Sequence, residues 1–133
     1  DTASDSHYTL PLLDFDKARL DSIELYPYKK IFDAGIGSVM TAHLNIPSLE
    51  SNPNLPTSLS KNVVTNLLQQ ELGFNGLIIT DGLNMKGVSN YATSAEIDLA
   101  AIQAGNDLLL IPQDVPATSL YFYGTKNTTN PEQ

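Results

Sequence analysis

Three short runs of apolar residues constrain the fold of this chain more than any other feature of its sequence. They occupy residues 38–41 (SVMT), 77–80 (LIIT) and 108–111 (LLLI). Continuous runs of this kind, without alternation of polar and apolar residues, are typical of strands that a parallel sheet buries on both faces. The sequence therefore predicts three buried strands.

A helical pattern separates the first two runs. Residues 61–72 carry apolar side chains on one helical face, and Ser60 and Gly73 suit the N-cap and the residue that ends the helix. The predicted apolar face consists of Val63, Val64, Leu67, Leu68 and Leu72. The segment before this helix, residues 45–60, contains three prolines among polar residues, which predicts a long surface loop.

Two further helices complete the pattern. One is predicted over residues 95–104, with Ser94 as its cap and Gly105 just past its end. The other is expected to begin near Pro27 and to end before Gly35. Alternating strands and helices require parallel pairing with crossovers, so the fold class is α/β. Periodicity does not separate a doubly wound sheet from a barrel.

The composition describes a packed domain with an acidic surface. Of the 133 residues, 41% are hydrophobic, which is enough for one core. The formal net charge of -8 argues against nucleic acid or an anionic bilayer as a partner, since both attract Lys and Arg. No run approaches the roughly 20 apolar residues of a membrane span, and the absence of cysteine excludes disulfides. Residues 117–133 are polar towards the end and are predicted to form a frayed tail.

Residues able to do chemistry follow the first two strands. His43 comes two positions after the first run, and Asp81 directly follows the second. The carboxyl ends of parallel strands meet at the crevice where α/β enzymes place their sites. Each residue also has a structural interpretation: His43 as a buried, hydrogen-bonded histidine, and Asp81 as a cap for the segment after Met85.

Asp5 and His7 form a second chemical feature near the start of the chain. Their spacing of two residues puts both side chains on one side of an extended backbone. A carboxylate beside an imidazole holds its tautomer and stabilises its protonated form, as a general acid requires. The alternative is that both residues are solvated or cap a local turn.

Six segments carry a family resemblance: DTASDSH, VMTAH, PTSLS, LGFNG, TDGLNM and AGNDLLL, in this order between residues 1 and 110. The first is similar to the end of a signature K-H-F-P-G-H-G-D-T-x-x-D-S-H. Together they resemble glycoside hydrolase family 3, in its β-N-acetylglucosaminidase branch, and the similarity extends to about residue 116.

The resemblance implies part of a (β/α)8 barrel, about its last three βα units with parallel strands. It also implies a retaining exo-hydrolase that removes terminal β-linked N-acetylglucosamine without a metal or an organic cofactor. Asp81 would be the nucleophile that forms a covalent glycosyl-enzyme, His7 the acid/base, and Asp5 the residue that orients His7. His43 and Met85 would contact the substrate, which would be an oligosaccharide or a cell-wall muropeptide. The bacterial cytoplasm and periplasm are both compatible with the resemblance.

The first half of the signature, K-H-F-P-G-H-G, does not occur in residues 1–133. A full barrel takes about 250 residues, so we expect residues 1–133 to form one fragment of a catalytic domain, with residues 1–15 as the acid/base loop. Three strands do not close a barrel, and their edges expose unpaired backbone groups. We therefore expect little or no activity from the chain alone, and an edge covered by the rest of the barrel or by self-association.

Two other functions compete with this interpretation. In a metal-dependent barrel hydrolase, Asp5, His7, His43 and Asp81 would bind a divalent ion, since imidazole and carboxylate are suitable ligands. In the second, the chain is a non-catalytic module derived from a barrel.

Overall fold

The computed structural model describes residues 2–120, and within them three parallel strands form one sheet in the order β1-β2-β3. The strands are β1 (Ser38–Thr41), β2 (Leu77–Gly82) and β3 (Leu108–Leu110). Pairing begins at Ser38 with Leu77 and continues across β2, where Ile79 faces Leu108. The predicted α/β class and all three strand positions are confirmed.

The ends of two strands differ slightly from the prediction. β2 continues two residues further, to Gly82, so that Asp81 lies inside the strand rather than beyond it. β3 stops at Leu110 because Ile111 has a φ of 52°, in the left-handed region that breaks a strand.

Helical segments alternate with the strands. They are α1 (Lys17–Arg19), a π-type turn (Leu20–Glu24), α2 (Tyr26–Asp33), a 3-10 turn (Thr57–Leu59), a π-helix (Asn62–Glu71), α3 (Lys86–Ser89) and α4 (Ser94–Ala104). A further helical stretch begins at residue 115 and includes residues 117–120 of the predicted tail. The rest of that tail, residues 121–133, lies outside the described residues.

The predicted boundaries of the first two long helices are confirmed. Pro27 lies in the first turn of α2, and Gly35, with a φ of 84°, follows its end. The Ser60 hydroxyl accepts a hydrogen bond from the backbone N–H of Val63, as an N-cap does. Gly73 is left-handed, with a φ of 71°. The helix differs from the expected α-helix in its hydrogen bonds, which reach back five residues, as from Leu72 N to Leu67 O at 2.8 Å.

The prediction of Ser94 as the cap of α4 is wrong by one residue. Thr93 is the N-cap, in a capping box in which the Glu96 carboxylate accepts from the Thr93 backbone N–H at 3.0 Å. The box satisfies two backbone donors at once, which a cap at Ser94 does not achieve. Gly105 ends the helix as predicted, with a φ of 114°.

Within residues 2–120 the sheet is covered on one face only, which corrects the prediction of strands buried on both faces. Ile78 and Thr80 of β2 point into the packed face and are 1% and 0% exposed. Met40, Leu77 and Leu108 lie on the opposite face and are 58%, 44% and 46% exposed. The helices pack against one side of the sheet, so an apolar layer on the other side remains open.

Apolar side chains fill the packed side in three groups. They are Leu59, Leu83, Val88, Ile97 and Ala101; Val64, Phe74, Ile78 and Ala104; and Leu13, Leu20 and Ile46. The surface loop predicted at residues 45–60 is only partly correct, because residues 51–54 are exposed whereas residues 56–60 are buried. In the part of the chain that the structure describes, no helix has the length and apolarity needed to cross a bilayer.

Replacing Gly105 by alanine tests the close packing at the end of α4. A left-handed backbone costs an L-residue about 1–2 kcal/mol, and an added Cβ would lie 2.7 Å from Thr65 Oγ1. We expect Gly105→Ala to lower the free energy of unfolding of the intact protein by more than about 1 kcal/mol in urea titrations. Gly73→Ala is the matched control, because its Cβ would meet no atom within 4 Å. An equal loss in the two variants would contradict the packing argument.

Candidate active site

Asp81 lies at the carboxyl end of the middle strand, on the open face of the sheet. Alternation along β2 sends Ile78 and Thr80 to the packed face and leaves Asp81 half-buried on the other. Its Oδ1 accepts a hydrogen bond of 2.7 Å from the backbone N–H of Gly82. The alternative role as a helix cap is not observed, since α3 has Met85 as its N-cap and no side-chain capping bond.

Asp5 and His7 form a hydrogen-bonded pair in a tight turn. Asp5 Oδ1 lies 2.7 Å from His7 Nδ1 and accepts the His7 backbone N–H at 2.9 Å. The backbone hydrogen bond and the ring together lower the pKa of the Asp5 carboxyl below its ordinary value. An ionised carboxylate only accepts hydrogen bonds, so Nδ1 carries the hydrogen and Nε2 is the ring nitrogen left for proton transfer. The side chain of His7 is 68% exposed.

The turn that carries His7 is fastened to the start of α3. The backbone N–H of Gly87 donates to Ser6 O at 3.1 Å, and that of Lys86 donates to His7 O at 3.4 Å. A Cβ on Gly87 would lie 2.8 Å from Ser6 O, so this approach requires glycine. Because α3 follows β2 directly, the turn lies at the same end of the sheet as Asp81.

The following segment also lies beside the end of a strand. Leu13 N donates to Asn45 O at 2.9 Å, and Asn45 N donates to Pro11 O at 2.8 Å. These two bonds form a parallel bridge between Leu12 and Asn45, just past the end of β1. The opening residues are therefore held against the carboxyl ends of both β1 and β2.

His43 is a buried, hydrogen-bonded histidine, which is the structural interpretation of this residue. It is 0% exposed, with Nε2 3.0 Å from Gly82 O and Nδ1 2.6 Å from Ser58 Oγ. A carbonyl only accepts hydrogen bonds, so Nε2 carries the hydrogen and the Ser58 hydroxyl donates to Nδ1. Both ring nitrogens are occupied, and this geometry does not support the predicted contact with substrate. Burial lowers the pKa of the ring, although the Gly82 carbonyl and the Asp81 charge act in the opposite direction.

Met85 is also more buried than a substrate contact requires. It is 8% exposed, and its backbone N–H donates to Gly82 O at 3.0 Å. Its sulfur would lie 3.5 Å from a Cβ built on Gly82, so the side chain packs against the strand end. Since only 8% of Met85 is exposed, the structure gives little support to the predicted contact between this side chain and a sugar.

A buried polar network behind the strands was not predicted from the sequence. Asn106 Nδ2 donates to Ser58 O at 2.8 Å, and Thr41 Oγ1 donates to Asn106 Oδ1 at 2.9 Å. Thr41, Ser58 and Asn106 are at most 9% exposed. The signal available in the sequence was the polar Asn106 directly after the glycine that ends α4, a position that requires a buried side chain to find partners.

A family model described as the glycosyl hydrolase family 3 N terminal domain matches residues 1–125. The chain belongs to glycoside hydrolase family 3. It is 36% identical to a β-hexosaminidase of Chromobacterium violaceum over 107 residues, which cover 80% of the chain and 29% of that protein. It is 33% identical to β-hexosaminidase A of Pseudoalteromonas piscicida over 122 residues, which cover 84% of the chain and 20% of that protein.

Solved structures of family 3 members share the fold. A β-N-acetylglucosaminidase from a Paenibacillus species superposes with a TM-score of 0.87 at 36% identity, over 96% of the chain and 25% of that protein. The β-N-acetylglucosaminidase of Thermotoga maritima gives 0.76 at 31% identity, over 89% of the chain and 27% of that protein. The chain thus spans less than a third of the length of each of these four family 3 relatives.

The residues that the structure describes do not form the metal site of a metal-dependent barrel hydrolase, which was one of the alternative functions. Residues 2–120 contain no group of three His, Cys, Asp or Glu side chains arranged to hold an ion. His43, one of the four proposed ligands, has both ring nitrogens committed to protein partners. The donor set of that hypothesis is therefore divided between a buried ring and an exposed turn.

The burial of His43 predicts a loss of stability in acid. The unfolded chain takes up a proton as the pH falls below about 6.5, whereas the folded ring, whose pKa is lowered from 6.5, resists protonation. This contribution to stability is present above pH 6.5 and is lost as the pH falls towards the folded pKa. We expect the free energy of unfolding to fall less steeply below that pH in His43→Gln than in the wild type. Parallel pH profiles of urea unfolding would contradict the assignment.

Proposed function

We propose that this chain forms part of the active site of a retaining exo-hydrolase that removes terminal β-linked N-acetylglucosamine. The observation that supports the proposal is that Asp81 and the pair of Asp5 and His7 lie at the same end of the sheet. Asp81 ends the middle strand on the open face, and the turn of Asp5 and His7 is bonded to the helix that follows it. The names of the family 3 relatives, β-hexosaminidases and β-N-acetylglucosaminidases, support this substrate class.

The proposal includes a (β/α)8 barrel of which these residues form about the last three βα units. The open apolar face, with Met40, Leu77 and Leu108, is then the inner face, which the remaining strands would close. Catalytic residues of such barrels stand at the carboxyl ends of the strands, where Asp81 lies. The expectation that the segment alone is inactive, and needs the rest of the barrel or a self-association partner, follows from this proposal and stays a prediction.

The chemistry proceeds in two displacements at the anomeric carbon. In the first, a carboxylate oxygen of Asp81 bonds to that carbon while the glycosidic bond breaks and the leaving oxygen takes a proton from His7 Nε2. In the second, water gives a proton back to Nε2 and its oxygen displaces Asp81. Two inversions leave the anomeric configuration unchanged, and both residues return to their starting state. The mechanism uses no metal and no organic cofactor.

The pairing of a histidine acid with a carboxylate nucleophile is favourable electrostatically. A glutamate acid would add a second negative charge beside Asp81 whenever it lost its proton, whereas His7 becomes neutral. Asp5 holds Nδ1 and offsets the positive charge of the protonated ring across a distance of 2.7 Å. The exposed position of this pair suits a group that exchanges protons with a substrate and with water.

Replacing Asp81 tests the nucleophile. Asp81→Asn keeps the shape of the side chain but removes the charge that attacks, so we expect kcat of the intact protein on a chromogenic β-N-acetylglucosaminide to fall by roughly 10³-fold or more. Asp33→Asn, an exposed aspartate at the end of α2, is the matched control. A fluorosugar that slows the second step should add one glycosyl mass to the peptide containing Asp81. A near-normal rate in Asp81→Asn would overturn the proposed function.

Replacing His7 tests the acid by its dependence on the leaving group. His7→Ala should reduce cleavage of an alkyl glycoside, whose leaving oxygen needs a proton, by about 10²–10⁴-fold. The loss should be much smaller for a dinitrophenyl glycoside, which leaves without protonation. Asp5→Asn keeps a hydrogen-bond acceptor for Nδ1 but removes the charge, so it should reduce cleavage of the alkyl glycoside less than His7→Ala does. Equal losses on both glycosides would show that His7 is not the acid.

A further inference from the structure

A chain of buried hydrogen bonds ends on the residue that follows Asp81. Ser58 Oγ lies 2.6 Å from His43 Nδ1, and His43 Nε2 lies 3.0 Å from Gly82 O. Gly82 in turn donates its N–H to Asp81 Oδ1 at 2.7 Å. Two side chains, Ser58 and His43, are thus connected to one carboxylate through a single glycine.

The direction of each bond in this chain is determined by its partners. Gly82 O accepts, so His43 Nε2–H donates, and the remaining lone pair of Nδ1 receives the Ser58 hydroxyl hydrogen. Ser58 and His43 are both 0% exposed, which excludes water as a competing partner at either ring nitrogen. The Gly82 carbonyl therefore sets the tautomer in which His43 Nε2 is the donor, and the Ser58 hydroxyl adjusts to it by donating to Nδ1.

Gly82 needs this restraint because it has no side chain of its own. Glycine has more backbone freedom than other residues, and here it ends β2 directly after Asp81. Its carbonyl is held by two donors, His43 Nε2 and the Met85 backbone N–H at 3.0 Å. The carbonyl and the N–H lie in peptide units on either side of the Gly82 Cα, so holding the carbonyl restricts the backbone rotation at Gly82 that would move the N–H bonded to Asp81 Oδ1.

The far end of the chain of bonds is anchored as well. Asn106 donates to Ser58 O at 2.8 Å and to Ala101 O at 2.7 Å, and it accepts from Thr41 at 2.9 Å. Asn106 is 5% exposed, so this anchor joins α4 and β1 to the segment that carries Ser58. The donor to Gly82 is therefore held by rigid elements rather than by a loop.

We propose that His43 is a positioning residue for Asp81: it holds the Gly82 carbonyl, restrains the backbone of Gly82 and thereby keeps the attacking carboxylate in the orientation needed for displacement, while Ser58 holds the ring of His43 through Nδ1. This inference rests on the proposed role of Asp81 as nucleophile. It gives His43 a role without contact with the sugar and without proton transfer. A shift of about 1 Å in a reacting group costs on the order of 10²-fold in rate, so a group this far behind the reaction can still control kcat.

His43→Met tests the proposal, because methionine is close to histidine in volume and donates no hydrogen bond. In the intact protein we expect kcat to fall about 10- to 100-fold with little change in KM. His43→Gln should recover much of kcat, since its amide N–H can donate to Gly82 O. Thr118→Val is the matched control: Thr118 is 8% exposed and donates to Asp98 at 2.8 Å, so the variant loses a buried hydrogen bond that is not part of the chain from Ser58 to Asp81. It should lose stability without losing kcat.

Ser58→Ala provides a second variant that removes one hydroxyl and leaves the ring in place. Without that hydroxyl the ring of His43 loses one of the two hydrogen bonds that hold it, and we expect a several-fold loss of kcat, smaller than the loss in His43→Met. The inference is overturned if His43→Met keeps the kcat of Thr118→Val, or if His43→Gln is no better than His43→Met. Failure of the proposed function is distinguishable, because it requires a near-normal rate in Asp81→Asn.

Discussion

The alternation of side chains along β2 is the constraint on which the rest of the structure depends. Backbone pairing holds this strand between β1 and β3, so successive residues must point to opposite faces. Ile78 and Thr80 enter the packed face, and Asp81 therefore emerges on the open one. A shift of one residue in the pairing would bury Asp81 against α3 and α4, where an unpaired carboxylate is costly. The same register thus buries Ile78 and Thr80 in the packed face and leaves the Asp81 carboxylate on the open face.

The two faces of the sheet carry different polar groups. Asp81 lies on the open face, whereas His43, Thr41 and Asn106 form hydrogen bonds on the packed face. Gly82 belongs to both, because its carbonyl is bonded on one side and its N–H on the other. The groups proposed to position the carboxylate are therefore buried away from the surface that meets solvent, which strengthens their hydrogen bonds.

Local rules predicted much of this fold. The strands and the left-handed glycines Gly73 and Gly105 follow from apolar runs and helix ends, which depend on neighbouring residues. The Thr93 cap was readable too, since Glu96 stands three residues later, as a capping box requires. The burial of His43 was only one of two interpretations, because its partners Ser58 and Gly82 lie 15 and 39 positions away. An apolar run does not reveal how many faces of a strand are covered. Within residues 2–120 the helices cover only one face of the sheet.

The sequence predicted that Asp5 and His7 lie close together, but it did not predict where in the fold this pair lies. The spacing of two residues was expected to align the side chains along an extended backbone, whereas they lie 2.7 Å apart across a turn. The location of the turn depends on Gly87, where the backbone of α3 approaches Ser6 O closely enough to exclude any Cβ. The short α3 begins four residues after Gly82, so the same segment follows the strand of Asp81 and fastens the turn of His7, the two residues proposed as nucleophile and acid. A few backbone hydrogen bonds around Gly87 therefore set the position of His7 relative to the strand of Asp81, rather than the flexible side chains themselves.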